Sequence, residues 1–354
     1  MKNKASIGVS LLLLVTALAT LLPIHAQKTA SQAAQVGAGD SAPPLSNPLK
    51  VALLKWYKAN VVTTFPTGTE PVAIAFDGEN IWVGNNVSAT VNKLRANDGA
   101  PLGSFSVWDP NGICFDGANI WVTSYRLGYG RGGSKPEANG EKRVGMDNTV
   151  SKLRASDGKV MGTFNTGQGP QWPTFDGEHI WIPNSVDNTV SKLRVSDGVI
   201  LGTFPVGVSP VATAFDGANI WVANYTGFGN GTVTKLREDG RVLGTFTVGE
   251  GPLGIAFDGA NMWVANANDG TVSKLRASDG TTLGTFSVGG DSPAGVAFDG
   301  ENIWLAGDAL IELRASDGNP LLALKQPGNS SKAIAFDGAN IWVTLLNAAK
   351  VGKI

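Results

Sequence analysis

The sequence predicts an all-β protein: a seven-bladed β-propeller of four-stranded antiparallel blades, closed by an N-terminal strand that completes the last blade. Three observations lead there. A Phe-Asp-Gly core recurs at Phe76, Phe115, Phe175, Phe215, Phe257, Phe298 and Phe336, at steps of 39, 60, 40, 42, 41 and 38 residues. A period near forty marks a propeller blade, and the step of 60 marks an insertion. The cleanest copy, Pro252 to Phe286, holds four apolar runs of strand length, GIAF, NMWVAN, TVSKLR and TTLGTF. Finally, Met262 and Val264 alternate with Trp263 and Ala265 along the second run, so both strand faces are apolar. A blade wedged between two neighbours covers both faces; a strand with one wet face does not.

Taken in order, residues 1–26 carry Lys2 and Lys4, an apolar stretch Ile7 to Leu22, and Ala26 at the end. This is the pattern of a Sec-type signal peptide, with an uncleaved anchor as the alternative, and no Cys stands at the cut for lipid attachment. The expected location is therefore secreted or periplasmic. Residues 27–50 turn to Ala, Gln, Ser, Gly and Pro and read as a flexible linker. Residues 51–60, VALLKWYKAN, read as a short amphipathic segment packing on the propeller, with partner docking as the alternative. The propeller itself is expected over 61–354, with an insertion at 126–147 in blade 2. Seven first, second and third strands can be counted, but only six fourth strands follow a third one. Val61 to Phe65 matches the fourth-strand pattern and is expected to supply the missing one, leaving no open edge on that blade.

The turns are DGAN, or a close variant, after the first strand and typically ASDG after the third. Asp and Asn bond the local backbone there and Gly accepts positive φ, so their acidity reflects turn chemistry. With 28 basic and 29 acidic residues the chain is near neutral, which argues against a nucleic-acid scaffold. The single Cys, Cys114, replaces a first-strand Ala and is expected to be a small buried residue. GYGRGG at Gly128 to Gly133 matches a dinucleotide fingerprint but lacks the following helix, so it carries no nucleotide site.

The consensus PxGIAFDGANIWVANxxxxTVSKLRASDGxxLGTFxVG resembles the YVTN-type and virginiamycin B lyase-like propeller repeats over about Val61 to Ile354. That resemblance implies seven blades and, for the lyase members, His and Glu side chains around a magnesium ion on the face that carries the variable loops. The entrance positions here are Val72, Asn111, Gln171, Val211, Leu253, Ala294 and Lys332, none of them His or Glu. His179, the one His beyond the leader, replaces Asn in a DGAN turn on the opposite face. No catalytic residue is assigned.

Loops joining fourth strands to first and second strands to third share one face, and their sequences vary from copy to copy, which is where a binding function belongs on a regular scaffold. Three Trp depart from the repeat, and two of them, Trp108 and Trp172, fall towards this face. With Asn111, Tyr125, Tyr129, Gln171, Tyr225 and Phe228 they form the candidate ligand surface for a glycan, peptide or planar small molecule. The insertion could act as a lid or remain a surface excursion. A metal-dependent lyase or lactonase-type hydrolase is the alternative, with Ca or Mg held by some of Glu70, Asp109, Asn111, Glu250 and Asp291; otherwise no cofactor is expected. The expected partner is an extracellular or cell-envelope ligand or protein, bound by a monomer with no membrane span in its mature form.

Overall fold

The computed structural model describes residues 62–125, 148–325 and 330–354, all within one unit, Tyr57–Ile354. The leader, the linker, the 51–60 segment and the 126–147 insertion with Tyr129 lie outside the described residues. Seven four-stranded antiparallel sheets are present. In blade 5 the strands are Pro252–Phe257, Asn261–Asn266, Thr271–Arg276 and Thr282–Ser287. The innermost strands contact one another in a closed circuit, blade 1 meeting both blade 2 and blade 7. Among the described residues no helix is long and apolar enough to cross a membrane.

Blade 7 is closed as the strand count requires. Its order is Ile334–Phe336, Ile341–Leu345, Lys350–Lys353 and then Thr63–Pro66, which pairs antiparallel with Thr63 opposite Lys353 and Phe65 opposite Val351. The edge that Lys350–Lys353 would otherwise expose is thereby satisfied.

The seams between blades are built from one repeated group of side chains. In blade 5, Asp258 Oδ1 accepts the Asn261 amide at 2.6 Å, as a turn Asp should, while its Oδ2 accepts the Trp263 indole N–H at 2.7 Å. All seven repeated Trp make this bond, at 2.6–2.8 Å, so the turn Asp has a second task that turn chemistry alone does not reveal. The buried Trp263 ring stacks on Phe286 with centroids 5.7 Å apart, and Lys274 Nζ lies 4.9 Å from its centroid. That ammonium then donates to Ala315 O of blade 6 at 2.6 Å. Burying a lysine is costly unless it is paired, and here a carbonyl of the next blade and the face of an indole replace its water. The Phe ring, for its part, lies on a turn glycine of the neighbour. A Cβ on Gly318 would fall 2.4 Å from Phe286, and Gly318 has φ +74°, so both space and backbone require glycine.

Blade 6 departs from this group twice, with Glu312 in place of Lys and Leu324 in place of Phe. Both departures have one cause. Lys and Phe engage the turn between third and fourth strands of the next blade, and blade 7 has no such turn because its third and fourth strands come from opposite ends of the chain. Asn302 Nδ2 donates to Glu312 Oε1 at 2.9 Å. Burial, with Asp299 and Glu301 nearby, pushes the Glu312 carboxyl above the usual glutamate range.

The first strand of blade 3 is only Thr174–Phe175, shorter than expected. Pro173 has no N–H to offer the ladder. The backbone of Trp172 turns to blade 4 instead: its N–H donates to Val211 O at 3.1 Å and its carbonyl accepts from Thr213 N–H at 3.2 Å.

Candidate functional site at the channel mouth

The innermost strands surround an axial cavity of about 140 Å³. Its wall includes Ala73, Gly112, Ala212, Gly254, Gly295 and Ala333, which hold the same place in six blades and are all small because the strands converge. At Gly254 a Cβ would fall 2.2 Å from Ala294 O. The second layer of the wall is Ile74, Ile113, Thr213, Ile255, Val296 and Ile334. None of the lining side chains is ionisable, and the space suits a few waters rather than a drug-sized molecule. The candidate positions therefore lie at the mouth of the channel, above this wall.

In the seventh blade to contribute, blade 3, the small position is Trp172. One large ring thus faces six small residues. Trp172 is half-buried, packed on the core shared by blades 4 and 5. Lys332, from blade 7, reaches over it: its Nζ lies 5.8 Å from the Trp172 ring centroid. Blades 3 and 7 are not neighbours in the circuit, so this contact spans the mouth. Lys332 has no ion pair among the described residues. Although the residue keeps some exposure, its amine lies deep among neighbouring atoms, and that desolvation lowers its pKa from the ordinary lysine value while the charge of Glu70 opposes the shift.

Beside Trp172 runs a polar chain. Asn111 Nδ2 donates to Gln171 Oε1 at 2.8 Å and to Pro170 O at 3.2 Å, and Gln171 Nε2 donates to Ser185 Oγ at 3.1 Å. The structure thus brings Asn111, Gln171 and Trp172 together and adds Lys332. That residue was visible in the sequence as the single charged side chain among the seven entrance positions. None of the contacts of this group involves the other described candidates. Trp108, 58% exposed, lines a separate cavity of about 280 Å³ with Ser106, Ser124, Val160 and Thr163, at the seam of blades 1 and 2. Tyr125 is buried, whereas Phe228 is 98% exposed; Tyr225 is half-buried, its amide bonded to Ser209 O.

No family model matches the sequence, and no curated protein does. Solved structures do. A catalytically inactive virginiamycin B lyase from Staphylococcus aureus with quinupristin superposes with a TM-score of 0.64 at 17% identity, covering 83% of this chain and 98% of that one. Selenomethionine-substituted virginiamycin B lyase from Staphylococcus aureus gives 0.65 at 16%, covering 83% and 98%. A streptogramin B lyase gives 0.64 at 16%, covering 83% and 96%. The chain shares the propeller fold of virginiamycin B lyase.

The seven entrance positions do not supply the His and Glu set that the resemblance implies for magnesium. Glu70 and Asp109 occupy left-handed backbone at φ 59° and 37°, where other blades place Gly169 and Gly251, and their carbonyls accept the Asn86 and Tyr125 amides. These positions are turn corners. Among the described residues, only Glu178, His179 and Glu238 form a group of three imidazole or carboxylate ligands within 4.8 Å of one another, and they sit on the opposite face. Cys114 is buried, and desolvation raises its thiol pKa far above the ordinary value, so it is not a nucleophile.

Proposed function

We propose that this propeller is an exported binding module whose mouth takes an anionic ligand with a planar group, the anion against Lys332 and the plane on Trp172. The observation that carries the reading is the Lys332 amine, desolvated and without an ion pair among the described residues, held over the Trp172 ring across the mouth. An incoming carboxylate or sulfate gives that amine the partner its burial lacks. A charge-assisted hydrogen bond contributes roughly 1.5–3 kcal/mol. Stacking on one indole adds about 0.5–1.5 kcal/mol beyond area burial, and the Asn111–Gln171 pair offers amide groups beside it. The leader at residues 1–26 supports export and a cell-envelope or extracellular ligand.

A second reading, a metal-dependent lyase or hydrolase acting at the same mouth, is favoured by the fold likeness to virginiamycin B lyase. The two readings part in one experiment. Naphthalene-2-carboxylate and acidic oligosaccharides are titrated into wild type, Lys332→Met and Trp172→Ala, the last restoring the residue type of Ala212. The binding reading expects saturable binding that weakens at least tenfold in both variants. Equal binding by all three proteins refutes it. Conversion of quinupristin, followed by mass spectrometry with and without added Mg²⁺, establishes the second reading if a product forms.

A further inference from the structure

On the face opposite the mouth, two departures from the repeat meet at one seam. The fourth residue of the first turn is Asn in six blades and His179 in blade 3. The carbonyl that receives the neighbouring lysine belongs to Ala or Val in blades 1, 2, 3, 5 and 6, and to Glu238 in blade 4. The turn of blade 3 thus faces Glu238 across the blade 3–4 seam. The ligating atoms of Glu178, His179 and Glu238 all lie within 4.8 Å of one another.

His179 is the unusual member. Its residue is only 8% exposed, yet its imidazole makes no hydrogen bond, and buried Nδ1 is without a partner. In blades 1, 2, 4, 5 and 7 the Asn at this place donates its side-chain amide to the turn Asp, as Asn261 does to Asp258 at 3.1 Å. Nδ1 of His179 takes that direction, 3.5 Å from Asp176 Oδ2, and Nε2 faces Glu178 Oε1 at 4.0 Å. A carboxylate behind one imidazole nitrogen, with the other nitrogen turned towards further carboxylates, is the arrangement by which proteins orient a metal-binding histidine.

We propose that Glu178, His179 and Glu238 bind one first-row divalent cation of Zn²⁺ type, pinning blade 3 to blade 4. The donor set decides the ion: an imidazole nitrogen with two carboxylates suits Zn²⁺, whereas Ca²⁺ and Mg²⁺ prefer oxygen alone. Ligands bound tetrahedrally at about 2.0–2.1 Å stand roughly 3.4 Å apart, so the exposed Glu178 and Glu238 carboxylates need to close in by about an ångström. Water fills the fourth position. Lys192 is the opposing charge, its Nζ 3.4 Å from Glu238 Oε1, but that amine is also held by Glu238 O at 3.0 Å and stays in place when the carboxylate turns to the metal. The site is independent of the mouth and of any ligand there.

The repeat supplies conservative variants, since His179→Asn and Glu238→Ala restore residues that other blades carry and keep the seam foldable. Untagged full-length protein is titrated with Zn²⁺ by calorimetry, and Co²⁺ spectra are recorded for the same proteins. One equivalent is expected in wild type, at least tenfold weaker binding in each variant and in Glu178→Ala, and a rise in melting temperature with zinc that only wild type shows. Absence of one-to-one binding in wild type, or equal affinity in the folded variants, overturns the proposal.

Discussion

Replacing Lys274 by Met tests the seam energetics directly. The side chain is 7% exposed, so the substitution keeps the stem packed and removes the ammonium alone. Lost with it are the bonds to Ala315 O at 2.6 Å and Ser316 O at 3.3 Å, and the contact with the Trp263 ring at 4.9 Å. Charge-assisted bonds contribute about 1.5–3 kcal/mol and an indole–cation contact about 0.5–1 kcal/mol. Relief of the lysine's own desolvation offsets part of this, leaving an expected loss of about 2 kcal/mol. For a domain of nearly 300 residues that is a fall of roughly 3 °C in melting temperature. The contrast is Glu312→Gln at the equivalent place in blade 6, where no turn of blade 7 waits for a cation and Gln retains an acceptor for Asn302. It is expected to raise stability at neutral pH. Urea unfolding of both variants is the assay. A Lys274→Met change within 0.5 kcal/mol of wild type, or a loss at Glu312→Gln as large as at Lys274→Met, refutes the account of the seam.

Glu312 also sets a pH dependence. Its folded pKa is raised, so the ionised carboxylate costs stability above that value, and the cost disappears as pH falls through it towards the unfolded value. The advantage of Glu312→Gln should therefore shrink on acidification, in melting curves recorded from neutral pH down to the ordinary glutamate range; an advantage that grows instead would reverse the sign. Asp109→Gly replaces a left-handed aspartate, φ 37°, by the residue found at Gly169 and Gly251, and should stabilise by about 0.5–1 kcal/mol in urea unfolding. A loss would show that the Asp109 side chain contributes more than its backbone costs. Removing the chain up to Phe65 unpairs Lys350–Lys353 and should cause aggregation or a large fall in melting temperature, whereas removing 27–48 should do little. Equal melting temperatures for the two truncations would contradict closure by this strand.

The fold was legible because the forty-residue period and the two-faced strands are local patterns repeated seven times, and the strand deficit told where Thr63–Pro66 must pair. The candidate site was legible only in part. Trp172, Asn111 and Gln171 stood out as departures from the repeat, but the contact that organises them joins blades 3 and 7, and no local pattern encodes which residues meet across a mouth. Lys332 was passed over for the same reason: a search for His and Glu at the entrance positions does not notice an amine. His179 is a visible departure in its turn, yet its meeting with Glu238, which stands where other blades have Ala or Val, joins two blades and is encoded by no local pattern.

The pairing of Thr63–Pro66 with Lys350–Lys353 also dictates an order of events during synthesis. Six blades can be assembled as their residues emerge, each from a continuous stretch of chain, but the seventh is incomplete until residue 353 exists. Until then the strand made first stays unpaired, with bare backbone at both sides of the gap, and the nascent protein is at its most prone to pair with a neighbour. A route that holds the whole chain unfolded until synthesis is over, as export through a narrow channel does, would remove that exposed interval.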